Sequence, residues 1–221
     1  MFKNIDALLF DMDGTLIDSM GVWKEIDIEY LHRYGYELPD DLQKCLEGLC
    51  FHDTAVYMKK RFNIPDDVET IKETWNEMAL YKYTHSVKVK EGVLELLKFA
   101  KENGMKLAIA TSNSRLLTTA LLKEKKLEEY FDYVLTGCDS LKSKPDPEIY
   151  LTVAEKLKVN PQNCLVFEDV VAGIMAGKNA NMKVVGVDDS YSKYCESEKR
   201  KLSDYYINSY KELVLSKKEG E

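Results

Sequence analysis

A chain of 221 residues, 45% hydrophobic and 31% charged, can bury a sizeable core as one large domain or as a core with a smaller insert. Its 31 basic and 38 acidic residues leave a net charge of −7. An acidic chain without a basic patch is a poor partner for nucleic acid or an anionic membrane, and a phosphate substrate would need local positive charge at its site.

The chain opens on a short apolar run, Ile5-Asp6-Ala7-Leu8-Leu9-Phe10. It is too short for the hydrophobic stretch of a signal peptide, and no run of about 18 apolar residues follows anywhere, so a cytoplasmic protein is expected. Residues 7–10 form the first of five short apolar runs, with 106–110, 133–135, 165–167 and 183–187. Such runs, alternating with helical patterns, predict an α/β fold whose parallel strands are buried on both faces. Helical spacing recurs in Val93, Leu94, Leu96, Leu97 and Ala100, which Asn103-Gly104 stops. It recurs in Leu116, Leu117, Ala120 and Leu121, and in Ile149, Val153, Ala154 and Leu157 after Pro147. A shorter strand at 205–207, a helix at 210–215 and a polar tail at 217–221 complete the chain.

Residues 19–85 break this alternation. They carry helical patterns near 19–35, 40–48, 52–62 and 67–83, punctuated by Gly35, Pro39, Gly48 and Pro65. A run of helices inside an alternating chain reads as an inserted bundle, joined to the core by linkers at 17–19 and 86–91. Five cysteines (Cys45, Cys50, Cys138, Cys164, Cys195) form no C-x-x-C pair, and the three histidines lie far from any cysteine pair. Reduced thiols packed as small hydrophobes are expected rather than a zinc cluster.

Four segments carry chemistry. Asp11-Met12-Asp13-Gly14-Thr15 follows the first strand. Ligands of an open parallel sheet bind beyond the carboxyl ends of its strands. Carboxylates two residues apart on extended chain point the same way and repel unless a cation joins them, and Mg²⁺ prefers such hard oxygen ligands. Asp-Gly is also a plain turn signal. Thr111-Ser112-Asn113 closes the second strand, where a hydroxyl and backbone N–H groups can meet phosphate, although such residues also cap helices. Lys144-Pro145-Asp146-Pro147 presents a lysine from a stiffened segment, where an ordinary lysine would simply be solvated. Glu168-Asp169 ends a strand before a helix, where acidic residues also complement the helix dipole.

In order and spacing these four segments resemble the motifs of the haloacid dehalogenase superfamily, over essentially the whole chain. The resemblance implies a Rossmann-like core at 1–17 and 87–221 and a helical cap at 18–86. It implies a phosphatase with Mg²⁺ as cofactor, acting on a small phosphorylated substrate; nothing in the sequence demands an oligomer, so a monomer is expected. Asp11 would be the nucleophile and Asp13 the general acid/base. Thr111, Ser112, Asn113 and Lys144 would bind phosphate. The metal would be held by Asp11, Asp169 and the backbone carbonyl of Asp13, with Glu168 a further ligand directly or through water. Asp13 argues for phosphoryl transfer over dehalogenation, and a full motif set argues against a binding-only protein.

Within the family the sequence looks closest to the β-phosphoglucomutase-like branch, which leaves a sugar phosphomutase as the alternative. Two positions depart from the mutase pattern: Phe51 falls where such mutases carry arginine, and Trp23 near their histidine. Lys24, Arg33 or His52 would have to compensate. Met20, Trp23, Leu49 and Phe51 are candidates for an apolar pocket wall or for packing between cap helices, and Trp75, Tyr81 and Tyr83 for packing.

Overall fold

The computed structural model describes residues 1–138 and 142–215. The polar tail expected at 217–221 lies outside them. The first strand, β1 (Ala7–Phe10), leads through a tight turn into two-residue β2 (Ile17–Asp18). Four helices follow: α1 (Met20–His32), α2 (Leu42–Leu46), α3 (Phe51–Arg61) and α4 (Val68–His85). The chain returns through β3 (Lys88–Val89), which pairs antiparallel with β2. The segments read as linkers thus form a two-stranded neck beneath the four helices.

Beyond the neck, strands and helices alternate: α5 (Val93–Glu102), β4 (Lys106–Ala110), α6 (Arg115–Glu124), β5 (Tyr133–Leu135), α7 (Glu148–Leu157), β6 (Cys164–Glu168), α8 (Val171–Asn179) and β7 (Lys183–Val187). The chain closes with α9 (Glu196–Leu202), β8 (Tyr205–Ile207) and α10 (Lys211–Leu215). A 3-10 turn at Ser190–Cys195 and α9 had no sequence counterpart, because their composition is polar and lacks an apolar stripe.

Six strands form one parallel sheet in the order β5-β4-β1-β6-β7-β8. The chain builds outward on one side of β1, then crosses to the other, giving a Rossmann-like arrangement with its switch point between β1 and β6. Period-two alternation explains the core. Leu8, Phe10, Leu107, Ile109, Leu165 and Phe167 face α5 and α6, and Phe10 stacks on Phe167 with ring centres 4.7 Å apart. Ala7, Leu9, Ala108, Ala110, Cys164 and Val166 face α7 and α8. Both faces are covered, so the strands read as continuous apolar runs. All five cysteines are free thiols. Cys50, Cys164 and Cys195 are buried, but Cys45 and Cys138 are exposed and correct the expectation that each packs as a small hydrophobe. No described helix is long and apolar enough to cross a membrane.

Candidate active site

Register assembles the site. Phe10 is paired with Ile109 on one side and Phe167 on the other. The next residue of each strand is therefore level with the others, which sets Asp11 beside Glu168 at the switch point. The Asp11 amide continues the ladder, donating to the Phe167 carbonyl at 3.0 Å. Among the described residues, Asp11, Glu168 and Asp169 bring one carboxylate oxygen each within 4.8 Å of one another, and all three are buried.

Two glycines make room for this. Gly14 turns the chain with φ +76°, and a Cβ there would lie 2.3 Å from Asp169 Oδ2. In the first turn of α8, a Cβ on Gly173 would lie 2.0 Å from the Glu168 carboxylate. Side chains could not occupy either position without displacing an acid.

Lys144 is the buried cation of the cluster. Its Nζ donates to Asp11 Oδ1 at 2.7 Å and to Glu168 Oε1 at 2.5 Å. Glu168 also accepts from the Tyr150 hydroxyl at 2.7 Å and from the Asp169 amide at 3.1 Å, so this acid holds Lys144 in place. Thr15 donates to Asp169 Oδ1 at 2.8 Å. Ser192 Oγ donates to the Asp169 carbonyl at 2.8 Å and itself accepts from buried Lys199 at 2.7 Å.

Charge in the cluster is unbalanced. Burial pushes Asp11 well above the usual carboxylate range despite the pull of Lys144, and the charges of Glu168 and Asp169 add to it. Burial, together with Glu168 and Asp189, pushes Asp169 up to about 7. Burial alone would lower Lys144, but Asp11 and Glu168 hold it above the ordinary lysine range. Three acids against one lysine are short of positive charge, and their hard oxygen donors suit a divalent cation such as Mg²⁺.

Asp13 stands apart from this trio. Its Oδ1 accepts from Ser19 Oγ at 2.6 Å, from Trp23 Nε1 at 3.2 Å and from the Tyr83 hydroxyl. Its Oδ2 accepts from Asn113 Nδ2 at 2.8 Å. Three of these donors, Ser19, Trp23 and Tyr83, come from the helical insert. The contacts of Trp23 and Tyr83 with Asp13 were not legible in sequence, where Trp23 read as apolar pocket wall or packing and Tyr83 as packing; nothing in a helical stripe marks which polar tip will face a carboxylate. Tyr150 and Ser192 were missed for the same reason.

Thr111 and Asn113 are buried, and with Ser112 they line the same cavity as Asp11, Asp13, Lys144 and Asp169. The competing role of helix cap falls on Ser114, whose Oγ accepts from Leu117 N, leaving the three preceding residues at the cavity. The cavity, of about 490 Å³, runs up between core and insert and is walled there by Met20, Trp23, Leu49 and Phe51. Insert and core also meet directly: Phe51 N donates to the Ser112 carbonyl at 2.9 Å, and Glu47 accepts from Ala172 N at 3.1 Å and the Tyr194 hydroxyl at 2.5 Å. Of the three compensating cations, Lys24 lines the cavity. Arg33 pairs with Glu29 at 3.0 Å and His52 lies 3.9 Å from Glu69, both on exposed surface.

The model of the haloacid dehalogenase-like hydrolases matches residues 8–187, which span all four motif segments of this site. The chain belongs to that family. A phosphorylated carbohydrates phosphatase of Thermotoga maritima is 34% identical over 184 residues, 83% of this chain and 85% of the relative. Hexitol phosphatase B of Escherichia coli is 29% identical over 192 residues, 84% of each. Among solved structures, a candidate β-phosphoglucomutase from Thermotoga maritima superposes with a TM-score of 0.70 at 30% identity, covering 97% of this chain and 99% of that one. Within the haloacid dehalogenase-like hydrolases the chain falls in the β-phosphoglucomutase-like branch.

Proposed function

We propose that this chain is a phosphatase that hydrolyses a small phosphorylated carbohydrate through a phosphoryl group carried on Asp11. The observation that carries this reading is the buried trio Asp11, Glu168 and Asp169, with Lys144 bridging Asp11 and Glu168, beneath a cavity that Asp11, Lys144 and Asp169 line and that is large enough for a sugar phosphate. The relatives named as carbohydrate and hexitol phosphatases support the substrate class.

Asp11, the nucleophile, attacks phosphorus, and the ester P–O bond breaks. Lys144 orients Asp11 through one carboxylate oxygen, leaves the other for attack, and offsets the repulsion between carboxylate and phosphate dianion. Asp13 gives its proton to the departing alkoxide. It then takes a proton from water, which attacks the same phosphorus and frees Asp11 and inorganic phosphate. Thr111, Ser112 and Asn113 bind the phosphate oxygens. Asp11, Glu168 and Asp169, with Asp13, are the residues that would hold Mg²⁺, which supplies charge neutralisation on the transferring phosphoryl group. The four helices of 18–86 act as a cap that excludes bulk water.

Purified protein with Mg²⁺ and p-nitrophenyl phosphate is expected to release phosphate. Chelation with EDTA should stop it, and Asp11→Asn should lower kcat by roughly 10³-fold or more with the fold retained. Retention of most of the activity in Asp11→Asn would refute the assignment. A phosphomutase reading has one point in its favour, the presence of Lys24 at the cavity. Glucose 1-phosphate with catalytic bisphosphate separates the two, because a mutase would form glucose 6-phosphate faster than free phosphate.

A further inference from the structure

Phosphoryl transfer accounts for the floor of the cavity but not for its roof. Ser19, at the start of α1, and Trp23 both reach Asp13. The helix then climbs away from the carboxylates, and Asp27 lies one turn, roughly 6 Å, beyond Trp23. Asp27 lines the cavity, and no described residue gives it a hydrogen bond or an ion pair. Burial pushes its carboxyl up to about 7.

A matching feature sits on α4. Tyr83 reaches Asp13, and Trp75 lies about two turns, roughly 12 Å, before it along the axis. The Trp75 ring is held edge-on against Phe51 and Tyr30, with centres 5.8 and 5.6 Å away. Its Nε1–H is buried without an acceptor, and the residue lines the cavity. A buried donor with its hydrogen bond unmade is unfavourable, and a partly buried carboxylate without a protein partner loses part of its hydration. A partly exposed carboxylate and a buried indole donor, neither with a hydrogen-bond partner among the described residues, therefore belong to the lining of one cavity, displaced along two helices from the groups that touch Asp13.

We infer that Asp27 and Trp75 form a specificity subsite for an uncharged, hydroxyl-bearing leaving group, such as the far end of a polyol or sugar monophosphate, and select against an anionic one. The inference rests on the phosphatase reading above and deepens it. A hydroxyl is the simplest group able to donate to Asp27 while accepting from Trp75. An ammonium cannot accept from the indole. A carboxylate or a second phosphate cannot donate to Asp27 and, above about pH 7 where Asp27 is ionised, faces it as a like charge. Lys24, the cation of the insert that lines the cavity, sits three residues before Asp27 on the same helix face, so its attraction for a second anion is opposed from within one turn.

The test uses substrate pairs that differ only in one end group: sorbitol 6-phosphate against 6-phosphogluconate, and glycerol 3-phosphate against 3-phosphoglycerate. With the full chain and Mg²⁺ at about pH 8.5, where Asp27 is ionised, kcat/KM for the neutral member should exceed that for the carboxylate by about tenfold or more, the factor expected when a carboxylate acceptor meets an anion instead of a donor. Asp27→Asn should narrow that ratio about tenfold. Trp75→Phe should lower kcat/KM for the neutral member about three- to tenfold, chiefly through KM. A circular dichroism spectrum matching the wild type establishes that a variant has folded, and the wild-type ratio needs no variant at all. Hydrolysis of p-nitrophenyl phosphate tests the phosphatase reading separately, and its absence would sink both. Its presence with no neutral member preferred, or with an unchanged ratio in folded Asp27→Asn, would overturn the subsite alone.

Discussion

Asp27 also carries a pH signature. Its carboxyl rises from an ordinary 3.8 to about 7 through burial, so between those values the folded chain holds a proton there that the unfolded chain has released. Stability from this group is complete below about 4 and is lost as pH climbs through about 7. Asparagine at this position does not titrate. The stability difference between Asp27→Asn and wild type should therefore move in favour of the variant by up to about 1.4 kcal/mol per pH unit across that window. Urea midpoints at several pH values measure it, and a difference that does not change with pH would show that Asp27 is not held in the protonated form. Lys144 illustrates the contrary case, where two acids outweigh burial and keep the charge. The same physics, desolvation against neighbouring charge, thus gives opposite outcomes at the two ends of one cavity.

At the level of elements, the junction between β6 and α8 decides how the acids are placed. Glycine inside a helix is unfavourable by about 1 kcal/mol relative to alanine, so Gly173→Ala ought to stabilise α8 by propensity alone. The added Cβ would instead lie 2.0 Å from the Glu168 carboxylate, which holds Lys144. Overpacking of that kind costs about 1–3 kcal/mol and wins. Gly173→Ala is expected to lower the urea midpoint and the phosphatase rate together; a variant more stable than wild type would mean that Glu168 moves freely. Sequence patterning captured the strands closely, because each is buried on both faces and reads as a bare apolar run: 7–10, 106–110, 133–135, 183–187 and 205–207 match residue for residue, and β6 is one residue longer at each end. The insert was legible as four helices with ends shifted by one to three residues. The neck strands β2 and β3 were not, since two residues carry no periodicity.

Over the whole molecule, an acidic chain of net charge −7 handles a phosphate ester by concentrating its chemistry at one switch point of the sheet. Most of that placement was legible, because three motifs stand at the ends of β1, β4 and β6 and parallel order brings such ends to one edge, whereas Lys144 arrives from the segment between β5 and α7, whose path no strand pattern marks. Of the roof, the apolar wall of Met20, Trp23, Leu49 and Phe51 was one of two readings, but the polar contacts were not legible: Trp23 and Tyr83 reach Asp13, and Asp27 and Trp75 line the cavity, only through the angle at which α1 and α4 lie over the core. Helix orientation is a tertiary property that no local pattern encodes. Bonds from Phe51 and Glu47 to core residues fix that orientation in the arrangement seen here. The claim that unites floor and roof is that phosphorus is transferred to Asp11. Acid quenching of the protein during turnover with Mg²⁺ and a phosphate ester, followed by peptide mapping, tests it most directly. The account predicts a labile phosphoryl group on the peptide containing Asp11, absent in Asp11→Asn. Steady turnover with phosphate on another residue, or undiminished turnover by Asp11→Asn, would contradict it.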